Sequence, residues 1–445
     1  MDLSYWIHDN YFVFKPDFNG SITDYSNIIT NCDKLIFSNY IELKYAIEFD
    51  HGIEKLKIRN KQNHCSTFNQ PLSNSLDKLT NLTQITFGFC YNQSLTNSLD
   101  RLINLKSLIF GACFNKPLEK SLDKLINLKS LTFGLYFNQP LTNSLDQLKN
   151  LTHLIFQGDF QQPFKNSLKQ LINLKYLTLS PSFNQQLVNS LDNLINLTHL
   201  TFGSNFNYPF ANSLAKLTNL THLTIGYLFD RPLTDSLDNL INLTHLTFDT
   251  NSHFDKPLSN SLNKLTNLTH LIFDNKSQFN KPLANSLDKL INLTHLIFGH
   301  SFNQSLENSL DKLINLTHLA FGLFFNQILS NTLTHLTKLE HLKLGYDFNQ
   351  ELFLPPNIKI LTLDCNNQNF IDSLPNSIEE LKLDNNFNLP LDNLPSSIKK
   401  ISFNANSYYH NLLNNLPKSL EQLELSKDYK LEIKNIPVNC KIIYL

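Results

Sequence analysis

The chain has 445 residues, with 37 Lys plus Arg against 38 Asp plus Glu, and a formal net charge of -1. That balance removes the bulk electrostatic case for binding nucleic acid or an anionic membrane surface. Hydrophobic residues make up 41% and Phe alone accounts for 34 positions, enough apolar material to build a long core and to exclude wholesale disorder.

The N-terminal run Met1-Asp2-Leu3-Ser4-Tyr5-Trp6-Ile7-His8 lacks a basic segment followed by an apolar one, so no signal peptide is expected there. No stretch of about 18 apolar residues occurs, which excludes a transmembrane helix by composition. These features set the expectation of a cytoplasmic protein, with no membrane partner. Residues 1–29 are expected to cap the fold, and residues 30–67 to form degenerate first coils. Strand patterns are expected at Cys32–Phe37 and at Ile53–Ile58.

From Phe68 onward a unit repeats: F-N-x-P-L-x-N-S-L-D-x-L-x-N-L-x-x-L-x-F-G-x-x. It restarts at Phe68, Tyr91, Phe114, Phe137, Phe160, Phe183, Phe206, Phe229, Phe254, Phe279, Phe302, Phe325 and Phe348. The step is 23 residues except for two steps of 25, from Phe229 to Phe254 and from Phe254 to Phe279. A period of this size containing L-x-x-L-x-L is the signature of a leucine-rich-repeat solenoid. In Leu197-Thr198-His199-Leu200-Thr201-Phe202, Leu200 and Phe202 alternate with His199 and Thr201, the pattern of a half-buried strand. The expected fold class is therefore a repeat solenoid with a curved parallel β-sheet and short helical, 3₁₀ or irregular return arms. Outward positions include His199, Thr201 and Gly203. Eight of the eleven glycines fall directly after the strand, as at Gly88, Gly111 and Gly134, and a left-handed turn is the expected reason. Regular repeats fill 68–347. Shorter C-terminal coils and a cap fill 348–445, with Leu361, Leu381 and Ile401 spaced by 20. About nineteen coils are expected, in one domain.

The units Phe-Asn-Gln-Pro-Leu (68–72, 137–141) and Leu-Pro-Ser-Ser-Ile-Lys-Lys-Ile-Ser-Phe (394–403) resemble the FNIP repeat, a leucine-rich-repeat-like unit. Here the third residue of the core is usually Gln or Lys in place of Ile. The resemblance implies a protein of the kind numerous in amoebae and in the large DNA viruses that infect them, acting in the host cytoplasm if viral. Some relatives carry an N-terminal F-box that recruits ubiquitin-ligase components. Residues 1–29 depart from that plan, because they read as an extended segment.

Among candidate site residues, one outward column stands out: His199, His222, His245, His270, His295, His318 and His341. Like charges side by side predict depressed, coupled pKa values for it. The competing explanation is duplication of a neutral residue that stacks well. The second candidate is a lip made by the 25-residue coils, from Asp249, His253, Asp274 and Lys276, above a floor of His245, Thr247, His270 and Ile272. Insertions in a solenoid map to loops on one face. Cys90 and Cys113 hold equivalent positions in adjacent coils, within disulfide reach, although reduced thiols suit a cytosolic protein. Asn-x-Ser/Thr triplets such as Asn196-Leu197-Thr198 would suit a secreted glycoprotein, a lesser alternative.

No phosphate loop, H-E-x-x-H or G-x-S-x-G motif is present. No catalytic residue, metal or cofactor is expected. The functional expectation is a monomeric, non-enzymatic scaffold that binds a protein partner on the concave sheet. A ubiquitin-ligase substrate receptor is the alternative.

Overall fold

The computed structural model describes residues 4–38, 44–50, 53–59, 65–329, 332–365 and 367–445. The chain divides into two compact units, residues 1–220 and 221–445. Each is built from the same stacked coil.

In unit 1, β1 (Tyr5–His8) and β2 (Tyr11–Phe14) form an antiparallel pair, and β2 then runs parallel to β3 (Lys34–Phe37). Residues 5–14 thus extend the sheet. A one-turn helix, α1 (Ser26–Ile29), follows a 3₁₀ turn at Ile22–Tyr25. The expected strand at Ile53–Ile58 exists as β5 (Ile53–Arg59), but it is not a solenoid strand. It pairs antiparallel with β4 (Lys44–Asp50) in a separate two-stranded sheet, and β3 pairs directly with β6 (Gln84–Thr86). Charged residues alternate through Ile53-Glu54-Lys55-Leu56-Lys57-Ile58 as they would in a coil, so period alone does not choose the pairing partner. From β6 the stack continues through β7 to β11 at Ser107–Ile109, Ser130–Phe133, His153–Phe156, Tyr176–Thr178 and His199–Thr201. All pair in parallel.

Unit 2 holds eleven described strands, β12 to β22. They lie at His222–Ile225, His245–Phe248, His270–Phe273, His295–Ile297, His318–Ala320, His341–Leu344, Ile360–Leu363, Glu380–Leu383, Lys400–Phe403, Gln422–Leu425 and Lys441–Tyr444. Each pairs in parallel with the next, and leucine faces leucine, as in Leu246↔Leu271 and Leu271↔Leu296. A short helix, α2 (Gln368–Asp372), replaces part of one return arm, with the Asn367 side chain accepting from the Phe370 amide.

The physics of one coil explains the whole stack. Each of the five repeat leucines is buried, for instance Leu283, Leu287, Leu290, Leu293 and Leu296 at 0% exposure. A single coil cannot cover that surface alone, so burial is realised only by stacking. The return arms are successive tight turns, closed by bonds such as Leu290 N–H to Leu287 O and Leu293 N–H to Leu290 O. Phe rings add a continuous stack, with Phe279 lying 6.0 Å from Phe254 and 5.9 Å from Phe302. The Asn of each Phe-Asn pair links coils: Asn69 Oδ1 accepts from the Asn92 amide at 2.9 Å, and Asn92 Oδ1 from the Asn115 amide at 2.9 Å. A second asparagine, in the Asn-Leu step before each strand, donates from Nδ2 to a carbonyl of the preceding coil. Asn104, Asn127 and Asn150 do so at 3.0, 2.8 and 2.9 Å.

Glycine after the strand serves a different purpose from the one its sequence position suggests. The backbone at Gly111 is not left-handed; a Cβ there would run into the carbonyl of Gly88 in the coil before, and Gly322 meets Gly299 in the same way. Close backbone approach is therefore the constraint. Gly203, expected to point outward, is buried for the same reason. The left-handed residues of these coils lie one or two places after the Leu or Phe that closes the five-residue core, at Ser73, Asn97, Glu119, Asn143, Lys165 and Asn189, with φ between 42° and 59°.

Candidate functional site

The outward columns carry the polar chemistry, and they are specified independently of the interior. In unit 2 the register places His222, His245, His270, His295, His318 and His341 side by side. Their rings stack face to face with centroids 4.0–4.1 Å apart and interplanar angles of 11–18°. The column ends where His341 pairs with Ile360. His199 belongs to unit 1, where it stacks on Tyr176 at 4.4 Å, and Tyr176 stacks on His153 at 4.3 Å.

The preceding threonine fixes the imidazoles of His245, His270, His295 and His318. Thr244 Oγ1 donates to the Thr221 carbonyl at 3.0 Å, and Thr269, Thr294 and Thr317 repeat that bond at 3.0–3.1 Å. A hydroxyl has one proton to donate, so its second contact must be an accepted one. Nδ1 of His245, His270, His295 and His318 lies 2.8–2.9 Å from the same four oxygens and therefore carries the proton. The bare lone pair is on Nε2. The ladder is a row of outward hydrogen-bond acceptors with a fixed tautomer.

Burial lowers the basicity of the column first, and neighbouring imidazoles second. His270 is pushed down to about 4 by burial, then by His245 and His295. His295 is likewise pushed down to about 4, by burial and then by His318, His341 and His245. His245, His318 and His341 are lowered too, with burial the first cause. Like-charge coupling was the expected reason; loss of solvation between stacked rings outweighs it. These five imidazoles are neutral near pH 7.

Beside the ladder runs a less polar column, Thr247, Ile272, Ile297 and Ala320. The 25-residue coils form their insertions around aspartates that take the place of glycine. Asp249 Oδ1 accepts from the Thr250 amide at 2.7 Å, and Asp274 Oδ1 from the Asn275 amide at 2.6 Å. Thr250 Oγ1 donates to Asp274 Oδ2 at 2.6 Å, which ties one insertion to the next. His253 packs on Tyr227 at 4.3 Å, and Lys276 is exposed.

Asp274 and Asn275 also line a cavity of about 480 Å³ with His300, Lys343, Asp364 and Asp384, over Gly322 and Gly345. Buried Asp364 is raised above the usual carboxylate range by burial, while both of its oxygens accept from Asn386 at 2.8 and 2.9 Å. Lys343 pairs with Asp384 at 2.6 Å. His300, Lys343, Asp364 and Asp384 escape a sequence reading because they belong to coils of different length; only the loss of the post-strand glycine at Asp274, Asp364 and Asp384 signals the place.

Among the described residues no group of three or more His, Cys, Asp or Glu could hold a metal ion, and no helix is long and apolar enough to cross a membrane. Cys90 and Cys113 are unbridged, with burial and then the neighbouring Cys90 and Cys65 raising the Cys113 thiol.

Parallel strands stacked over leucine columns define a leucine-rich-repeat solenoid. Residues 366–406 match the FNIP Repeat model, so the chain carries at least this segment of that repeat. Among solved structures it is similar to CroV588, a circular leucine-rich-repeat protein of the giant virus CroV. The identity is 25% and the TM-score 0.53, over 99% of this chain and 77% of that one. An internalin (inlF) from Listeria monocytogenes is 17% identical with a TM-score of 0.51, over 74% and 88% of the two chains. A chain of the Drosophila Toll–Spatzle complex is 15% identical with a TM-score of 0.61, over 95% of this chain and 59% of that one. These last two likenesses are of fold. No curated protein sequence matches the chain.

Proposed function

We propose that the protein is a non-enzymatic interaction scaffold that takes a protein partner on the outward sheet face of unit 2. The stacked histidine column from His222 to His341 carries this reading. Six aligned rings, four of them with the Nε2 lone pair left bare, bordered by Thr247, Ile272 and Ile297, offer a rigid surface that mixes apolar area with hydrogen-bonding capacity. Side chains already fixed by stacking and by threonine lose little entropy when a partner docks. Asp249, His253, Asp274 and Lys276 would border the contact as its lip. The solenoid fold supports the same reading, since stacked repeats present large continuous surfaces. A ubiquitin-ligase receptor gains no support from residues 5–14, whose strands extend the sheet where that role would need a helical module.

The test is affinity capture with the full chain against a His245→Ala, His270→Ala, Asp274→Ala variant, followed by reconstitution with the purified partner. A partner bound by the full chain and weakened at least tenfold by the variant, with melting unchanged, supports the reading. A reconstituted partner indifferent to the three changes sinks this face as the site.

A further inference from the structure

We propose that unit 1 carries a second, separate binding site: a cationic groove that receives an acidic peptide in extended conformation. The argument begins in the repeat. In each Asn-Leu-x step of this unit the leucine is buried, the asparagine is exposed and the third residue is exposed where it is lysine and half-buried where it is threonine, so stacking raises two parallel ridges with a channel between them. In unit 1 this channel encloses about 710 Å³, and asparagine, threonine and lysine alone line it.

The lysines are the departure. Most coils place threonine on the second ridge, but Lys106, Lys129 and Lys175 stand there in three of four consecutive coils. All three are exposed, and none makes an ion pair among the described residues. The same ridge in unit 2 shows that the arrangement is a choice. There Glu340, Lys359, Glu379 and Lys399 alternate in sign, and the column neutralises itself through Lys359–Glu340 at 3.2 Å and Lys399–Glu379 at 2.8 Å. Unit 1 keeps one sign and no internal counterion. At the end of the row Thr83 Oγ1 donates to the Asp33 carboxylate at 3.2 Å.

The opposite ridge supplies the complementary chemistry for a peptide. Asn104, Asn127, Asn150, Asn173 and Asn196 each spend one Nδ2 proton on a carbonyl of the preceding coil, which fixes the carboxamide and leaves Oδ1 and the second proton for main-chain amides of a ligand. Coils repeat at ~4.8 Å, so Lys106 to Lys175 spans ~14 Å, the reach of about five extended residues. A nucleic acid would want rings to stack its bases upon, and the channel wall offers none. Glutamate or aspartate side chains meeting the three ammonium groups are the fitting partner.

The experiment is fluorescence anisotropy of a labelled, end-capped hexaglutamate with the full chain at low salt. Hexaglutamine, a six-residue oligothymidylate and polyphosphate serve as competitors. Three proteins are compared: the unaltered chain, the Lys106→Gln, Lys129→Gln, Lys175→Gln variant, and a Lys359→Gln, Lys399→Gln control, each checked by its melting curve. The expected result is saturable binding of hexaglutamate that the triple variant weakens about tenfold while the control leaves it unchanged. Hexaglutamine should not compete. Binding that survives in the triple variant, or no binding at all by the unaltered chain, overturns the proposal. Stronger competition by oligothymidylate or polyphosphate than by unlabelled hexaglutamate overturns the choice of a peptide.

Discussion

Units 1 and 2 solve the interior identically and the surface differently. Leu108, Leu131 and Leu154 in one, and Leu246, Leu271 and Leu296 in the other, are buried to within 0%. Yet the ridge before the strand carries unpaired lysines in unit 1 and is self-paired from Glu340 to Lys399 in unit 2, and the ring column extends through six histidines only in unit 2. Stacking demands the leucines, because every coil must cover its neighbours. It demands nothing of an outward side chain beyond compatibility with the next coil. Outward columns are therefore where one repeat can acquire different chemistry, and where specificity is to be sought.

The comparison breaks first at the core if it is wrong. Leu246→Asp in unit 2 and Leu131→Asp in unit 1 each bury a carboxylate with no partner and should cost at least about 4 kcal/mol, seen as loss of the cooperative melt in circular dichroism. A benign outcome in either unit would invert the inside and outside faces there. Phe279→Ala removes a ring stacked on both sides and should cost about 3–5 kcal/mol in denaturant titration. Gly322→Val should cost about 3 kcal/mol through collision with the preceding backbone. An Asn at that position should do no better, because a left-handed turn is not what the site needs.

Acid sharpens the contrast. His270 and His295 sit near 4 when folded against an ordinary 6.5, so the unfolded chain binds more protons between those values. The stability they contribute is complete above about 6.5 and is lost as pH falls toward 4. Melting temperature should therefore decline over that window, and His270→Gln with His295→Gln should flatten the decline. Their titratable neighbours along the column are His245, His318 and His341. A slope unchanged by the pair would assign the acid limb to other groups.

The smallest effect on stability is expected from Lys129→Glu, within about 0.5 kcal/mol by thermal melt. It would nonetheless give unit 1 the alternating pattern of unit 2 and remove hexaglutamate binding.

Much of this architecture is legible in the residues. The 23-residue step exposes the buried columns directly, since a core position repeated in every coil cannot drift without leaving a hole. The histidine column reads as easily because it shares that period. What stays hidden has physical causes. Glycine serves both left-handed turns and close approach, and the letter does not say which. The strand at Ile53–Arg59 carries coil-like alternation, but its partner is β4. The lysine ridge is lost when repeats are averaged into a consensus, since Lys and Thr suit an exposed position equally. The cavity around Asp364 joins coils of unequal length, which no single period aligns.

The most direct test of the neutral acceptor ladder is a nitrogen-detected NMR titration of the chain labelled at its histidines. The account predicts that His270 and His295 titrate near 4, that His245 and His318 titrate below the ordinary 6.5, and that these four carry the proton on Nδ1 at neutral pH. Column imidazoles that titrate at 6.5, or that carry the proton on Nε2 at neutral pH, would contradict it.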